Sequence, residues 1–444
     1  MNRVSATRFR LTKAIALGLA ALTTGFLASA CQESAPPAAT EGGTASPGAS
    51  PASSSTAGLK IGSLLPATGD LASVGQAMLA SVPMLVETVN QCGGVNGAPV
   101  SLVSVDDQTD PTAGSEGMTK LAEVDKVAGV VGSFASSVST AALPIAIRNK
   151  VMLVSPGSTS PVFTDRAKKG EFQGYWARTA PPDTYQAQAL ATLANERGLK
   201  RVATIVINND YGVGFERQFV EAFKKLGGTV TNEAKPTRYD PKATTFETEA
   251  QAAFSGKPDG VVAVAYAETG ALLLKTAYQQ GLSKGVQVLL TDGSKSDQFP
   301  EQVGKSGDGK YILTGAIGTI PGADGKALET LTKLWQAKFN KPPAEYAAQG
   351  WDAAALLVLA AQAAKSNTGE AIKGKILDVA NGPGKDVSDV CEGLKLLQNG
   401  EDINYQGASG NVDIDENGDV SGVYDVWQVE DSGKLKTVSK VNPK

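Results

Sequence analysis

Short apolar runs alternate along the chain with longer stretches in which apolar residues recur every three or four positions. Runs of four to seven apolar residues bounded by turn residues predict strands buried on both faces. The three-to-four spacing predicts helices. The first strand is 59–65, ending at Pro66-Ala67-Thr68-Gly69-Asp70, and a helix over 74–90 follows. Pro83 must kink that helix or mark its true first turn. Next come strand 100–105, ending in Asp106 and Asp107, a helix over 112–125, and strand 127–131. Helical spacing around Leu143–Ile147 leads to strand 151–154. Strand–helix alternation at this pitch predicts a parallel sheet with helices on both faces.

The rhythm breaks at 172–182, where GYWARTAPPD reads as a crossing into a second unit, and then restarts. A helix over 184–197 is followed by strand 201–207, the loop Asn208–Gly212 and a helix over 214–226. Strand 229–234, helix 244–254, strand 260–265, a helix to Gln280 and strands 286–290 and 311–315 complete the second unit. Beyond Pro321 the pattern is helical (326–339, 344–365, 369–380), and these helices are expected to return to the first unit. Near the end, 411–414 and 423–429 flank Glu416-Asn417-Gly418-Asp419, a hairpin signal. Asp413, Asp415 and Asn417 also imitate a calcium loop. Tyr424 stands where the bidentate Glu should be, so the hairpin is expected and no metal.

The first thirty residues have the parts of an export signal: Arg3, Arg8, Arg10 and Lys13, then an apolar run over 14–22, then Ala28-Ser29-Ala30. Cys31 follows at once, and Leu27–Cys31 resembles a bacterial lipobox with Ala28 in place of its usual Leu. Lipidation of Cys31 is therefore expected. Residues 32–58 carry Ala, Ser, Pro, Gly and Thr with almost no bulky apolar side chain, a composition that suits a flexible tether. Cys92 and Cys391 remain as an even pair in an oxidising compartment and are expected to form a disulfide.

Composition narrows the chemistry. The 444-residue chain contains no histidine, which removes the Ser-His-Asp triad, Cys-His nucleophiles and His-bound zinc. Its net charge of −4 offers no electrostatic footprint for nucleic acid. The most informative stretch is 127–161, VAGVVGSFASSVSTAALPIAIRNKVMLVSPGSTSP. Two neighbouring strands there end in hydroxyl-rich loops, one with Ser133, Ser136 and Ser137, the other with Ser155, Ser158 and Thr159. Ligands of open parallel sheets sit beyond the carboxyl ends of the strands. Hydroxyls and loop amides without a basic residue suit a carboxylate better than a polyphosphate. The same residues are equally good turn and cap formers, so this chemistry alone leaves both readings open.

The succession IGSLLPATGDLA, VNQCGGVNG, DDQTDP, GSFASSVS, VSPGSTSP, NNDYGVG, AYAETG and NYQGASGNVDIDENGD resembles the type I periplasmic binding proteins, in particular the leucine/branched-chain amino-acid binding family of ABC importers. The resemblance covers 59–440. It implies two Rossmann-like α/β lobes joined by a multi-strand hinge, with 59–178 and 321–420 in lobe 1 and 179–320 and 421–440 in lobe 2, after a signal peptide (1–30) and a linker (31–58). It implies an amino acid bound between the lobes as they close. Ser136 and Thr159 then match the grip on the ligand carboxylate, Gly157 a backbone contact, Tyr211 and Tyr266 the aromatics of the second lobe, and Asp292 the acid that holds the ammonium. The side-chain pocket is drawn from the Pro66–Leu71 loop, Phe134, Tyr346 and Trp351. Small residues in that loop and no Lys or Arg in the matched loops favour a neutral, apolar amino acid. No cofactor is implied. The implied partners are the amino acid, a permease and an ATPase, with the monomeric chain held at the periplasmic face by lipid. An amide, urea or signalling receptor would share this fold. An enzyme using Ser136 or Asp292 would lack an activating base.

Overall fold

The computed structural model describes residues 58–443. The leader, Cys31 and most of the linker lie outside the described residues.

Two sheets organise the chain. The first holds β1 (Lys60–Leu65), β2 (Ser101–Asp106), β3 (Gly129–Gly132), β4 (Met152–Ser155) and β5 (Trp176–Arg178), in the order β2-β1-β3-β4-β5, all parallel. The second is built on β6 (Arg201–Ile207), β7 (Thr229–Val230), β8 (Thr237–Tyr239), β9 (Gly260–Val264), β10 (Gln287–Leu290) and β11 (Ile317–Pro321). Its parallel core runs β11-β10-β9-β6, with β7 and β8 both pairing β6. The order reverses around β1 in one sheet and around β6 in the other. The middle strands read as unbroken apolar runs because helices cover both faces: β3, β4 and β9 are buried along their whole length.

After β11 the chain returns to the first lobe. The helix Ala347–Ala363, almost wholly buried and rich in Ala and Leu, lies against the helix Ala72–Gln91 and under β3. Small side chains allow this. A Cβ on Gly350 would stand 2.7 Å from Ser81 Oγ, and one on Gly129 would stand 2.6 Å from Leu357. Ala72–Gln91 runs unbroken through Pro83. Its last turn is tied by the Cys92–Cys391 disulfide to the helix Val390–Gln398, across a sequence separation of 299. Nearby, β12 (Lys385–Val387) and β13 (Ile403–Tyr405) form a small parallel pair.

Several expected elements are redrawn. Residues 311–315 form turns ending at Gly315, whose φ of +84° no strand adopts, and the strand begins two residues later as β11. The stretch predicted as strand 229–234 stops at Val230, and β8, β12, β13 and Val390–Gln398 were not foreseen. The expected hairpin at Asn417-Gly418 is only a tight turn. Asp415 Oδ1 accepts from the amides of Asn417 and Asp419 at 2.8 and 2.9 Å, and a single bridge joins Ile414 to Val420. The strand beyond it, β14 (Tyr424–Val429), pairs antiparallel with β11 and with β15 (Leu435–Val441), whose turn includes Gly433. A turn signal fixes local backbone, whereas strand partners are chosen by which apolar edge is open.

Candidate functional site

In the first lobe, the loops after β3 and β4 are bound into one frame by serines. Ser155 Oγ donates to the Ser133 carbonyl at 2.5 Å and accepts from the Ser158 amide at 2.8 Å. Ser158 Oγ lies 3.0 Å from that carbonyl and 2.8 Å from Ser139 Oγ. Ser133 Oγ donates to Asp107 Oδ2 at 2.5 Å, and burial raises the Asp107 carboxyl to about 6. The frame holds three of the expected site residues. Ser136 begins its helix and accepts the Ser160 amide at 3.3 Å. Gly157 lies under the Phe134 ring so closely that a Cβ would meet it at 2.1 Å. Thr159 is fully buried, and its hydroxyl has no hydrogen-bond partner.

In the second lobe, Tyr211, Tyr266 and Asp292 follow β6, β9 and β10 and form one cluster. The two tyrosine rings stack with centroids 5.6 Å apart and planes 12° from parallel. Tyr211 donates to Asp292 Oδ1 at 2.8 Å and lies 2.7 Å from Thr291 Oγ1. Tyr266 accepts from Asn209 Nδ2 at 3.1 Å.

Three links cross between the lobes at this point. Tyr346, which precedes the long first-lobe helix, packs edge-on against Phe134 at 4.6 Å and donates to Asp292 Oδ2 at 2.5 Å. Ser160 Oγ donates to the Asp210 carbonyl at 2.8 Å. Lys295 pairs with Glu345. Tyr346 adopts a left-handed backbone (φ 65°), uncommon for an aromatic residue and found where surroundings enforce it.

Between the two clusters lies Asp183, completely buried, with neither carboxylate oxygen hydrogen-bonded. The Thr159 hydroxyl lies beside it without meeting hydrogen-bond geometry. Burial, and after it the charge of Asp292, push the Asp183 carboxyl well up. Burial likewise raises Asp292, against the hydroxyls of Tyr346 and Tyr211. The Gln186 side-chain amide lowers Asp292 as well, while its Oε1 is buried and unpartnered. Both Asp183 oxygens, the Thr159 hydroxyl and Gln186 Oε1 are thus buried without partners, an arrangement chemically able to accept a small cation bearing several N–H bonds. Serine hydroxyls and loop amides stand on its other side.

A family model described as the receptor family ligand binding region matches residues 77–432. The chain belongs to this family. Its members are binding proteins rather than enzymes, and the fold is that of the type I periplasmic binding proteins, branched-chain amino-acid group. Among relatives, the chain is 27% identical to the chemotactic signal transduction system substrate-binding protein BasB of Halobacterium salinarum, over 84% of this chain and 87% of that one. It is 28% identical to Leu/Ile/Val-binding protein homolog 1 of Brucella abortus, over 71% and 81%. Among solved structures, the leucine binding protein LivK of Thermotoga maritima superposes with a TM-score of 0.72 at 27% identity, covering 87% of this chain and 99% of that one.

Within this receptor-family chain, two residues of the candidate site escaped the sequence reading. Asp183 was passed over as part of a lobe crossing. Arg178 was passed over as part of a strand. Arg178 is buried, donates from Nη1 to the Ser158 and Ser160 carbonyls at 2.9 and 3.0 Å, and pairs with Asp419 at 2.7 Å. It therefore holds the Thr159 loop from behind. A charged residue inside the apolar run before two prolines, ARTAPPD, was the available signal.

Proposed function

We propose that this chain is the extracytoplasmic solute-binding component of an ABC importer that carries a neutral, apolar amino acid to its permease and ATPase. The observation that carries this reading is the buried acid pair beside a hydroxyl-lined frame, Asp183 with no hydrogen bond on either oxygen and Asp292 held by two tyrosine hydroxyls. An α-ammonium supplies three donors to the Asp183 and Asp292 oxygens and the Thr159 hydroxyl, and stacked Tyr211 and Tyr266 offer π faces to the same cation. The α-carboxylate takes Ser136 and the amides around Gly157. Charge pairing inside a water-free cleft is far stronger than in water, which couples binding to lobe closure. Phe134, Tyr346 and Trp351 give the side chain an apolar surround. The names of the Brucella and Thermotoga relatives, which specify leucine, isoleucine or valine, agree with this. Lipidation of Cys31 keeps the monomer at the membrane.

Titration calorimetry of the mature protein against the standard amino acids tests the reading. Micromolar or tighter binding of leucine, isoleucine or valine, lost by more than tenfold in Asp292→Asn and Thr159→Ala, is expected. Unchanged affinity in both variants overturns it. The BasB likeness favours one second reading, in which the same liganded form is read by a sensor instead of a permease. Capture of a membrane receptor domain that depends on the amino acid separates the two.

A further inference from the structure

The mouth of the cleft is a cavity of about 550 Å³ bordered by both lobes, with Asp70, Asp110 and Ser137 on one side and Asn209, Lys242 and Tyr266 on the other. Two ties span it. One is an ion pair between Lys242 and Asp110 at 3.0 Å, with the lysine side chain 81% exposed, a kind of pair that contributes little. The other is built differently. Asp70 Oδ1 accepts the amide of Thr269 at 2.7 Å, and Oδ2 accepts the Thr269 hydroxyl at 2.6 Å.

Thr269 is the third residue of the helix Ala267–Gln279, which directly follows Tyr266. The amide at that position is the usual partner of a helix's own capping side chain. Here the capping position is Tyr266, whose side chain makes no cap bond because it turns to Asn209. The cap comes instead from the opposite lobe, as a carboxylate set against the positive end of the helix. When the lobes part, the helix that positions Tyr266 loses its cap and Asp70 loses both donors.

We propose that Asp70 is the closing latch of the cleft, a positioning residue that caps Ala267–Gln279 from the other lobe and so sets how long the ligand is retained. This rests on the amino-acid-binding reading above and adds to it the group that governs release.

Stopped-flow kinetics with leucine, together with small-angle scattering with and without leucine, test it. Asp70→Ala is expected to speed dissociation about tenfold while changing the association rate less than about twofold. A charge-assisted pair of bonds made only on closure acts on the off-rate. Asp70→Asn, which keeps one acceptor oxygen, should recover part of the retention. Without leucine, Asp70→Ala should enlarge the radius of gyration and leave the helical circular dichroism unchanged. An unaltered off-rate and radius overturn the latch, as does an equal loss of association rate and thermal stability. If the wild type binds no amino acid but Asp70→Ala still expands, the latch stands and the amino-acid reading falls.

Discussion

Asp183 is an acid with no hydrogen bond at the centre of the molecule, and so it opposes folding. A buried, unpaired carboxyl costs on the order of several kcal/mol or is held neutral. Asp183→Asn should therefore raise the melting temperature of the protein without amino acid and weaken leucine binding more than tenfold, a stability-for-function exchange read by paired thermal-shift and calorimetric measurements. The pH dependence follows from the same pair. The carboxyls of Asp183 and Asp292 are raised without ligand, and an ammonium favours their ionised forms. Binding then expels protons wherever they are protonated, so affinity should climb as pH rises through the raised range and level off above it. Calorimetry across a pH series, in buffers of different ionisation heat, checks both sign and proton count. At this scale the sequence disclosed the residues that follow strand ends, such as Ser136, Tyr211 and Asp292, because position after a strand implies the rim. Asp183 follows no strand directly, and nothing local to Pro181-Pro182-Asp183 says that its side chain turns inward.

Helix ends carry the argument at the scale of elements. Glu268 sits beside Asp70 at the start of Ala267–Gln279, and its carboxyl is pushed up to about 7 by burial and then by the Asp70 charge. Tyr239, Tyr266 and Thr269 also face the Asp70 carboxylate, and Asp110, Asp240 and Lys242 line the same mouth. In the open form Glu268 should return toward its ordinary 4.5, so closure takes up a proton. A raised acid stabilises the closed form fully below the open-form value and loses that stabilisation as pH rises through about 7. Glu268 alone should thus quicken leucine release between pH 4.5 and 7, opposite in sign to the buried acid pair, and the difference between wild type and Glu268→Gln in stopped-flow traces across that interval isolates it. Strand and helix periodicity made most elements legible. It failed where pairing was decided remotely: β14 lies beside β11 because that edge was open, a fact no local turn signal contains.

For the whole molecule, the cross-link between Cys92 and Cys391 closes a very long loop, and such loops confer up to about 5 kcal/mol in the entropic account. Cys391→Ser should lower the melting temperature by several degrees while leaving leucine affinity within about twofold, because the bridge lies away from the cleft, between Ala72–Gln91 and Val390–Gln398. The two-lobe plan was visible in the sequence through its repeated strand–helix rhythm. The way the lobes meet was not, because it depends on side chains such as Tyr346 and Asp70 that reach across from positions far apart in the chain.

The same plan dictates an order of birth. The core of the second lobe is one continuous stretch, Asp183–Pro321, whereas the first lobe needs Ala347–Ala363 to cover β3 and Ala72–Gln91. As the chain emerges, β1 to β5 must wait, half-covered and greasy, while a later-made neighbour matures beside them. Chaperones acting on this protein during biogenesis should therefore find their target in the part made first.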